Sequence, residues 1–252
     1  SWDGPTPLLV ILGIGLAGGL KLLVDPRQIS RLYGLRDERA LKTARIVAPI
    51  LITVTYFCLL PLGALARTIV SPEMAAKISA DTDLVTPYLL GQSEILGPVA
   101  SSFFLLVLLA AAMSSLDSVL LVTASAITRD LLLLEDDDPR AIGLTRQWVV
   151  VVSLVSMLVA LNPFADIVEI TAFSGSLYAA CFLPTLVIGL YWQRPGAAVA
   201  ITTMAGGSVV VVGWWLLKRS GWTTVHEVYI GLAVAFLAYT GGTLLSRSQN
   251  HH

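Results

Sequence analysis

The chain has 252 residues, 56% of them hydrophobic and only 13% charged, with a formal net charge of −1. A soluble domain carries about a quarter of its residues as charges, so this composition excludes an ordinary soluble enzyme and describes a polytopic membrane protein surrounded by lipid. The near-neutral balance leaves no basic footprint for nucleic acid.

Seven apolar segments follow one another, at residues 7–24, 46–66, 98–128, 148–161, 167–192, 197–217 and 228–245. At ~1.5 Å per residue a helix of about 20 residues crosses a ~30 Å hydrocarbon core. The fourth segment is short for this unless it begins nearer Ile142. Pro49 and Pro61 bend the second, as neighbouring helices allow. The expected fold is all-α, a polytopic bundle of about seven transmembrane helices forming a single transmembrane domain over residues 1–252.

The first segment contains Gly13-Ile14-Gly15-Leu16-Ala17-Gly18, literally a GxGxxG. A dinucleotide site needs a strand before it and a strand-helix-strand unit after it. Pro26 stops the following helix and no such unit appears. Gly13 and Gly15 read better as a weak point in a membrane helix, because transporters place substrate at broken helices near the midplane. The competing reading is a small-residue packing face, with Gly15 and Gly19 at GxxxG spacing.

Lys and Arg set the orientation. Lys21, Arg27, Arg31, Arg36, Arg39, Lys42 and Arg45 precede the second segment, and Arg129, Arg140, Arg146, Arg194 and Arg247 fall on the same side if the segments alternate. Arg67, Lys77, Lys218 and Arg219 fall on the other. The N-terminus of this chain is therefore expected outside and the C-terminus in the cytoplasm, in a multi-pass protein of the cell membrane. The loop over residues 67–95 is then external, with room for a short helix at 72–80 and a turn at Asp81 and Asp83. The run Glu135-Asp136-Asp137-Asp138 reads as a solvated inner loop.

The third segment carries the most informative stretch, Ala110-Ala111-Ala112-Met113-Ser114-Ser115-Leu116-Asp117-Ser118. Ser114 lies 16 residues beyond Pro98 and 15 before Arg129, close to the bilayer centre. At 100° per residue Ala111, Ser114, Ser115 and Ser118 share about a third of the helix circumference, with Asp117 to one side. Neutral oxygens on one face suit a hard cation such as Na⁺ and offer nothing to a soft transition metal. The alternative is that small residues pack against a neighbour while each Ser bonds back to its own i−4 carbonyl.

In the fifth segment Asp166 and Glu169 stand at the outer end, followed by Thr171, Ser174, Gly175, Ser176 and Tyr178. Ser174 and Ser176 are candidates to line a substrate cavity, with close small-residue packing as the alternative. Pro184 adds a kink. Tyr191-Trp192, Trp214-Trp215 and Trp222 read as interfacial anchors. Cys58 and Cys181 lie alone in apolar segments and read as buried reduced thiols. His226 is a lone loop histidine. No Ser-His-Asp set or zincin motif is present, so the chain is not expected to be an enzyme. An intramembrane enzyme would need a second acidic or nucleophilic residue at the depth of Asp117.

The serine stretch resembles the eighth core helix of the sodium/solute symporter family, which has the LeuT-like inverted-repeat fold. Asp25-Pro26-Arg27-Gln28 with Ala40–Arg45 resembles the family's basic loop between helices six and seven; Asp81–Pro87 its external segment; Arg129-Asp130-Leu131 the end of helix eight; and Gly189–Ala197 the turn between helices ten and eleven. The resemblance implies that residues 1–192 are the second inverted repeat, core helices six to ten, and residues 193–252 two trailing helices, with the N-terminal repeat missing. It implies sodium-coupled symport of a small organic solute, and a sodium site using the Ala111 carbonyl, Ser114 and Ser115, with Asp117 and Ser118 available to a second sodium ion. Residues 63–67 and 83–87 resemble the pantothenate and monocarboxylate members. The family's aromatic gate on helix six has no counterpart at residues 9–20. The alternative function is a non-transporting membrane module, a half-protein partner or a sensor input.

Overall fold

In a computed structural model the described residues are 7–71, 82–91, 97–135, 138–191 and 196–249. They form helices and connecting turns. The helices are α1 (Leu8–Val24), α2 (Pro26–Tyr33), α3 (Glu38–Ile69), α4 (Val85–Gly91), α5 (Pro98–Ala126), α6 (Pro139–Ala160), α7 (Ile167–Phe182), α8 (Ala197–Arg219) and α9 (Glu227–Gln249). A 3₁₀ turn, Thr82–Leu84, leads into α4. Stretches of π-helix extend α5 over Ile127–Leu131 and α7 over Leu183–Ile188. Among the described residues, seven helices are long and apolar enough to cross a membrane.

Helix ends follow local chemistry. Proline lacks the N–H that a first turn leaves unused, so it opens helices well. Pro98 starts α5 after Gly97, whose positive φ of 76° needs a residue without Cβ. Pro139 starts α6, where Asp138 caps the N-terminus by accepting from the Arg140 N–H at 2.7 Å. This start makes the fourth span 22 residues, which answers its apparent shortness. Pro49 and Pro61 lie within an unbroken α3, and Pro184 lies in the π-helical stretch. The short helix expected at residues 72–80 and Asp81 lie outside the described residues, as do Asp136, Asp137 and Trp192.

The chain divides into two compact units, residues 1–30 with 167–252, and residues 31–166. In the first, α7 packs against α1, α8 and α9, and α8 packs along α9. The reason is a stripe of small side chains on α7. Ala172, Gly175, Ser176, Ala179 and Ala180 are buried at helical spacing. Lipid tails are as apolar as Leu, so membrane helices associate where small residues let backbones approach. A Cβ on Gly175 would stand 2.7 Å from the Ala17 carbonyl oxygen, and one on Gly207 would stand 2.9 Å from that of Ala180. Two clusters seal these seams. Ala17, Ala179 and Val228 pack with Leu20, Tyr229 and Leu232, and Ala180, Val211 and Ala235 pack with Phe173 and Leu177.

In the second unit α5 packs on α6, and α4 on α5. The Thr145 hydroxyl meets the buried Thr128 hydroxyl at 3.2 Å. No described residue of α3 is buried. Large apolar side chains such as Phe57, Leu60 and Leu106 are exposed, as expected of surfaces solvated by lipid or by other protein.

Two sequence expectations are corrected. The GxGxxG stretch is no break, because α1 runs through it as continuous helix. Its packing face is Gly13 and Ala17, both buried, whereas Gly15 and Gly19 are open, with nothing within 4 Å of an added Cβ. The cause is angular: residues four apart share a face, and 13 and 17 happen to be the pair turned inward. The buried-thiol reading also fails at Cys58, which is exposed on α3. Cys181 is half-buried, with its Sγ 2.9 Å from the Ser208 Oγ.

The seam predicts opposite outcomes for two glycine substitutions. Gly175→Ala must push α1 away from α7 and should destabilise the protein by about 1–3 kcal/mol. Gly15→Ala meets nothing and should be neutral or stabilising by about 0.5–1 kcal/mol. Thermal unfolding of the detergent-solubilised variants separates the two.

Candidate functional site

In the second unit, the serine face lies halfway along the continuous span Pro98–Leu131. Ala111, Ser114, Ser115 and Asp117 are exposed and Ser118 is half-buried. The Ser118 hydroxyl donates to the Ser114 carbonyl at 3.2 Å, the back-bonding of a helical Ser. The Ser114 and Ser115 hydroxyls and the Asp117 carboxylate make no hydrogen bond or ion pair among the described residues. Two hydroxyls therefore stand on one helix face with lone pairs uncommitted. In a continuous helix the Ala111 carbonyl already accepts from the i+4 N–H, which leaves its second lone pair. Ser118 faces the same way but has spent its proton within the helix.

In the first unit, the four residues expected to line a substrate site have different surroundings. Gly13 lies against the His226 side chain, with an added Cβ 2.5 Å from the His226 Cβ. Gly15 is open. Ser176 is fully buried and its hydroxyl donates to the Ala172 carbonyl at 2.9 Å. Ser174 is half-buried and accepts from the Lys21 Nζ at 3.0 Å. The fold thus joins Ser174 to Lys21 and places Gly175 on Ala17, but joins neither to Gly15.

Two clusters were not anticipated. The first is Lys21, Asp25 and Arg27 near the end of α1, with Ser174 and Tyr178 on α7. The Lys21 Nζ lies 5.4 Å from the Tyr178 ring centroid. Asp25 is 1% exposed and gripped by Arg27, whose Nε lies 3.0 and 3.1 Å from the two carboxylate oxygens and whose backbone N–H donates at 2.9 Å. The available sequence signal was a lone Lys at the end of an apolar run.

The second cluster joins the start of α9 to the end of α8. His226 lies in the loop before α9, as expected, but it and Glu227, the first residue of α9, are buried. The His226 Nδ1 accepts from the Val228 N–H at 3.4 Å, closing the first turn of α9. The Lys218 Nζ lies 3.0 Å from the Glu227 Oε2, and the His226 Nδ1 lies 3.7 Å from the same oxygen. The Glu227 Oε1 is buried without a partner among the described residues. The neighbouring indoles anchor polar groups as much as interfaces. Trp215 donates to the Glu169 Oε1 and Trp214 to the Val225 carbonyl, both at 3.1 Å. Trp222 is 85% exposed.

Burial pushes the His226 imidazole below its ordinary pKa, the nearby Glu227 opposes that shift, and Lys218 adds to it. A base whose folded pKa is depressed binds protons more readily when unfolded, so its stability contribution is present above the ordinary value near 6.5 and lost as pH falls below it. The unfolding temperature of wild-type protein should therefore drop more steeply than that of His226→Gln between about pH 7 and about pH 5. Parallel curves would show that His226 binds its proton equally well in the folded and unfolded states.

Comparison with known proteins adds the following. Residues 5–207 match the family described as "Sodium:solute symporter family". The osmoregulated proline transporter OpuE of Bacillus subtilis (strain 168) is 27% identical over 234 residues, which cover 88% of this chain and 45% of that protein. The sodium/proline symporters of Salmonella typhimurium and Escherichia coli (strain K12) are each 26% identical over 103 residues, 41% of this chain and 20% of theirs. The chain thus spans less than half the length of the curated relatives it matches. Their names concern proline and lend no support to the monocarboxylate or pantothenate-like solute expected from residues 63–67 and 83–87. No solved structure matches.

Proposed function

The chain belongs to the sodium:solute symporter family, a family of transporters rather than enzymes, and we propose that it acts as part of a sodium-coupled symporter for a small organic solute of the proline type. The observation that carries this reading is the family match across residues 5–207, which takes in five of the seven apolar spans in full. The proline transporters among the relatives support the solute class. Residues 1–192 act in this reading as core helices six to ten, the second inverted repeat, and residues 193–252 as two trailing helices.

Sodium is the coupling ion. Ala111, through its carbonyl, and the Ser114 and Ser115 hydroxyls supply one side of its cage. Support comes from their mid-span position and from the two hydroxyls uncommitted among the described residues. One helix face offers three oxygens, fewer than a desolvated cation needs, so the cage is completed by other parts of the transporter. Asp117 and Ser118 are placed to serve a second ion, though Ser118 would first release the Ser114 carbonyl. Gly13, Gly15, Ser174 and Ser176 remain substrate-side candidates, with Ser174 the best placed because its hydroxyl is shared with a cation and not with its own helix.

In the transporter that contains this chain, Ser114→Ala and Ser115→Ala should each raise the half-saturating sodium concentration roughly ten- to hundredfold, because a hydroxyl lost from a charged partner costs about 1.5–3 kcal/mol. The half-saturating solute concentration at high sodium should change far less. Asp117→Asn should spare sodium affinity if the carboxylate serves a gate and abolish coupling if it binds an ion. Solute uptake against sodium concentration reads all three, and unchanged sodium dependence in both serine variants would leave small-residue packing as the role of this face.

Orientation can be checked separately. Single cysteines at Arg36 and Thr223, in a chain freed of Cys58 and Cys181, should react with an impermeant thiol reagent from opposite sides, Thr223 from outside. Reaction of the Arg36 position from outside and of the Thr223 position only from inside would reverse the assignment, and reaction of both from outside would overturn the alternation of the spans.

A further inference from the structure

We propose that Lys21, with Ser174, binds the carboxylate of the transported solute. The inference rests on the symport reading for its solute but not for the anion site itself. Lys21 lies 13 residues into the span Leu8–Ser30, three residues before Val24, where α1 ends. A Lys on a membrane helix that is met by groups of a neighbouring helix, and not by lipid headgroups, is a candidate for the route of a substrate or ion.

What makes Lys21 unusual is how its charge is met. The acidic group nearest along its own helix is Asp25, one turn away. Both oxygens of Asp25 are held by the Arg27 guanidinium, and one also by the Arg27 N–H. Lys21 is left with a neutral hydroxyl at 3.0 Å and an aromatic ring at 5.4 Å, and forms no ion pair among the described residues. Lys21, Asp25 and Arg27 together carry a formal charge of +1, which calls for a monoanion.

The donor set narrows the class. The ammonium has three N–H donors and gives one to Ser174. The Ser174 hydroxyl accepts that bond and keeps its own proton to donate. Two adjacent donors, one charged, match the two oxygens of a carboxylate. The side chain is half-buried, so one side of the ammonium is open to a ligand. The Tyr178 ring holds the ammonium from a second direction without neutralising it.

Two measurements test this. The first uses the chain in lipid nanodiscs and an amine-selective acylating reagent, with modification of Lys21 followed by mass spectrometry. L-proline should slow acylation of Lys21 and leave the exposed Lys42 unaffected, while L-prolinamide, the same ring without a carboxylate, should protect neither. No protection by L-proline, or equal protection by L-prolinamide, overturns the proposal. The second is sodium-driven uptake by the transporter containing this chain. Lys21→Met should raise the half-saturating solute concentration at least about tenfold and leave the half-saturating sodium concentration unmoved, and Lys21→Arg should keep most of the affinity. Uptake by Lys21→Met with unchanged solute affinity also overturns it. If wild-type protein takes up no solute under a sodium gradient, the symport reading fails, and the acylation result alone decides the anion site.

Discussion

The constraint on which the first unit depends is the approach of two backbones, α7 against α1, at Gly175 and the Ala17 carbonyl. In a hydrocarbon solvent, burying Leu against Leu gains little over burying it in lipid. Association must come from dispersion at short range, and short range requires side chains no larger than a methyl or a hydroxyl. The stripe Ala172, Gly175, Ser176, Ala179 and Ala180 meets that requirement on α7. The hydroxyl of Ser176 costs nothing there because it bonds back to Ala172. Gly207 and Gly231 repeat the device where α8 and α9 reach Ala180.

From that seam the polar chemistry follows. Because α1 and α7 lie so close, Lys21 reaches Ser174 and Tyr178. Because the chain turns at Asp25 into α2, Arg27 comes back onto Asp25 and takes the one carboxylate that could have neutralised Lys21. The cation is thus held in place by the fold and left with charge to spare. At the other end of the unit, Gly13 on α1 admits the His226 ring, and the buried Glu227 is met by Lys218. Charged groups in this unit are placed by backbone proximity, each at a seam.

The second unit uses hydroxyls differently. Thr128 spends its proton on the Ala124 carbonyl at 2.8 Å, and the single proton of Thr145 is placed between its own Ala141 carbonyl at 2.8 Å and the Thr128 oxygen at 3.2 Å, where it joins α5 to α6. Ser114 and Ser115 commit theirs to nothing among the described residues and stand on an exposed face. The threonines at the helix end are thus satisfied within the fold, and the serines at mid-span are left to groups beyond the described residues.

Much was legible without tertiary structure. Composition and segment length identified seven spans, since crossing hydrocarbon demands a run of apolar residues whatever they touch. The serine face on the third span followed from the 100° step of a helix, and Pro98 marked where α5 begins, whereas α6 begins at Pro139, nine residues before the fourth apolar segment. Which small residues form seams was not legible. In a membrane helix nearly every face is apolar, so the periodicity that points a soluble helix inward is absent. That is why Gly15 and Gly19, at a recognised spacing, are open while Gly13 and Gly175 are closed. The partners of Lys21 and the burial of His226 depended on residues 153 and 213 positions away in sequence. Only the packing of α1 against α7 and α9 brought those together, and it left the Lys21 charge without a carboxylate of its own.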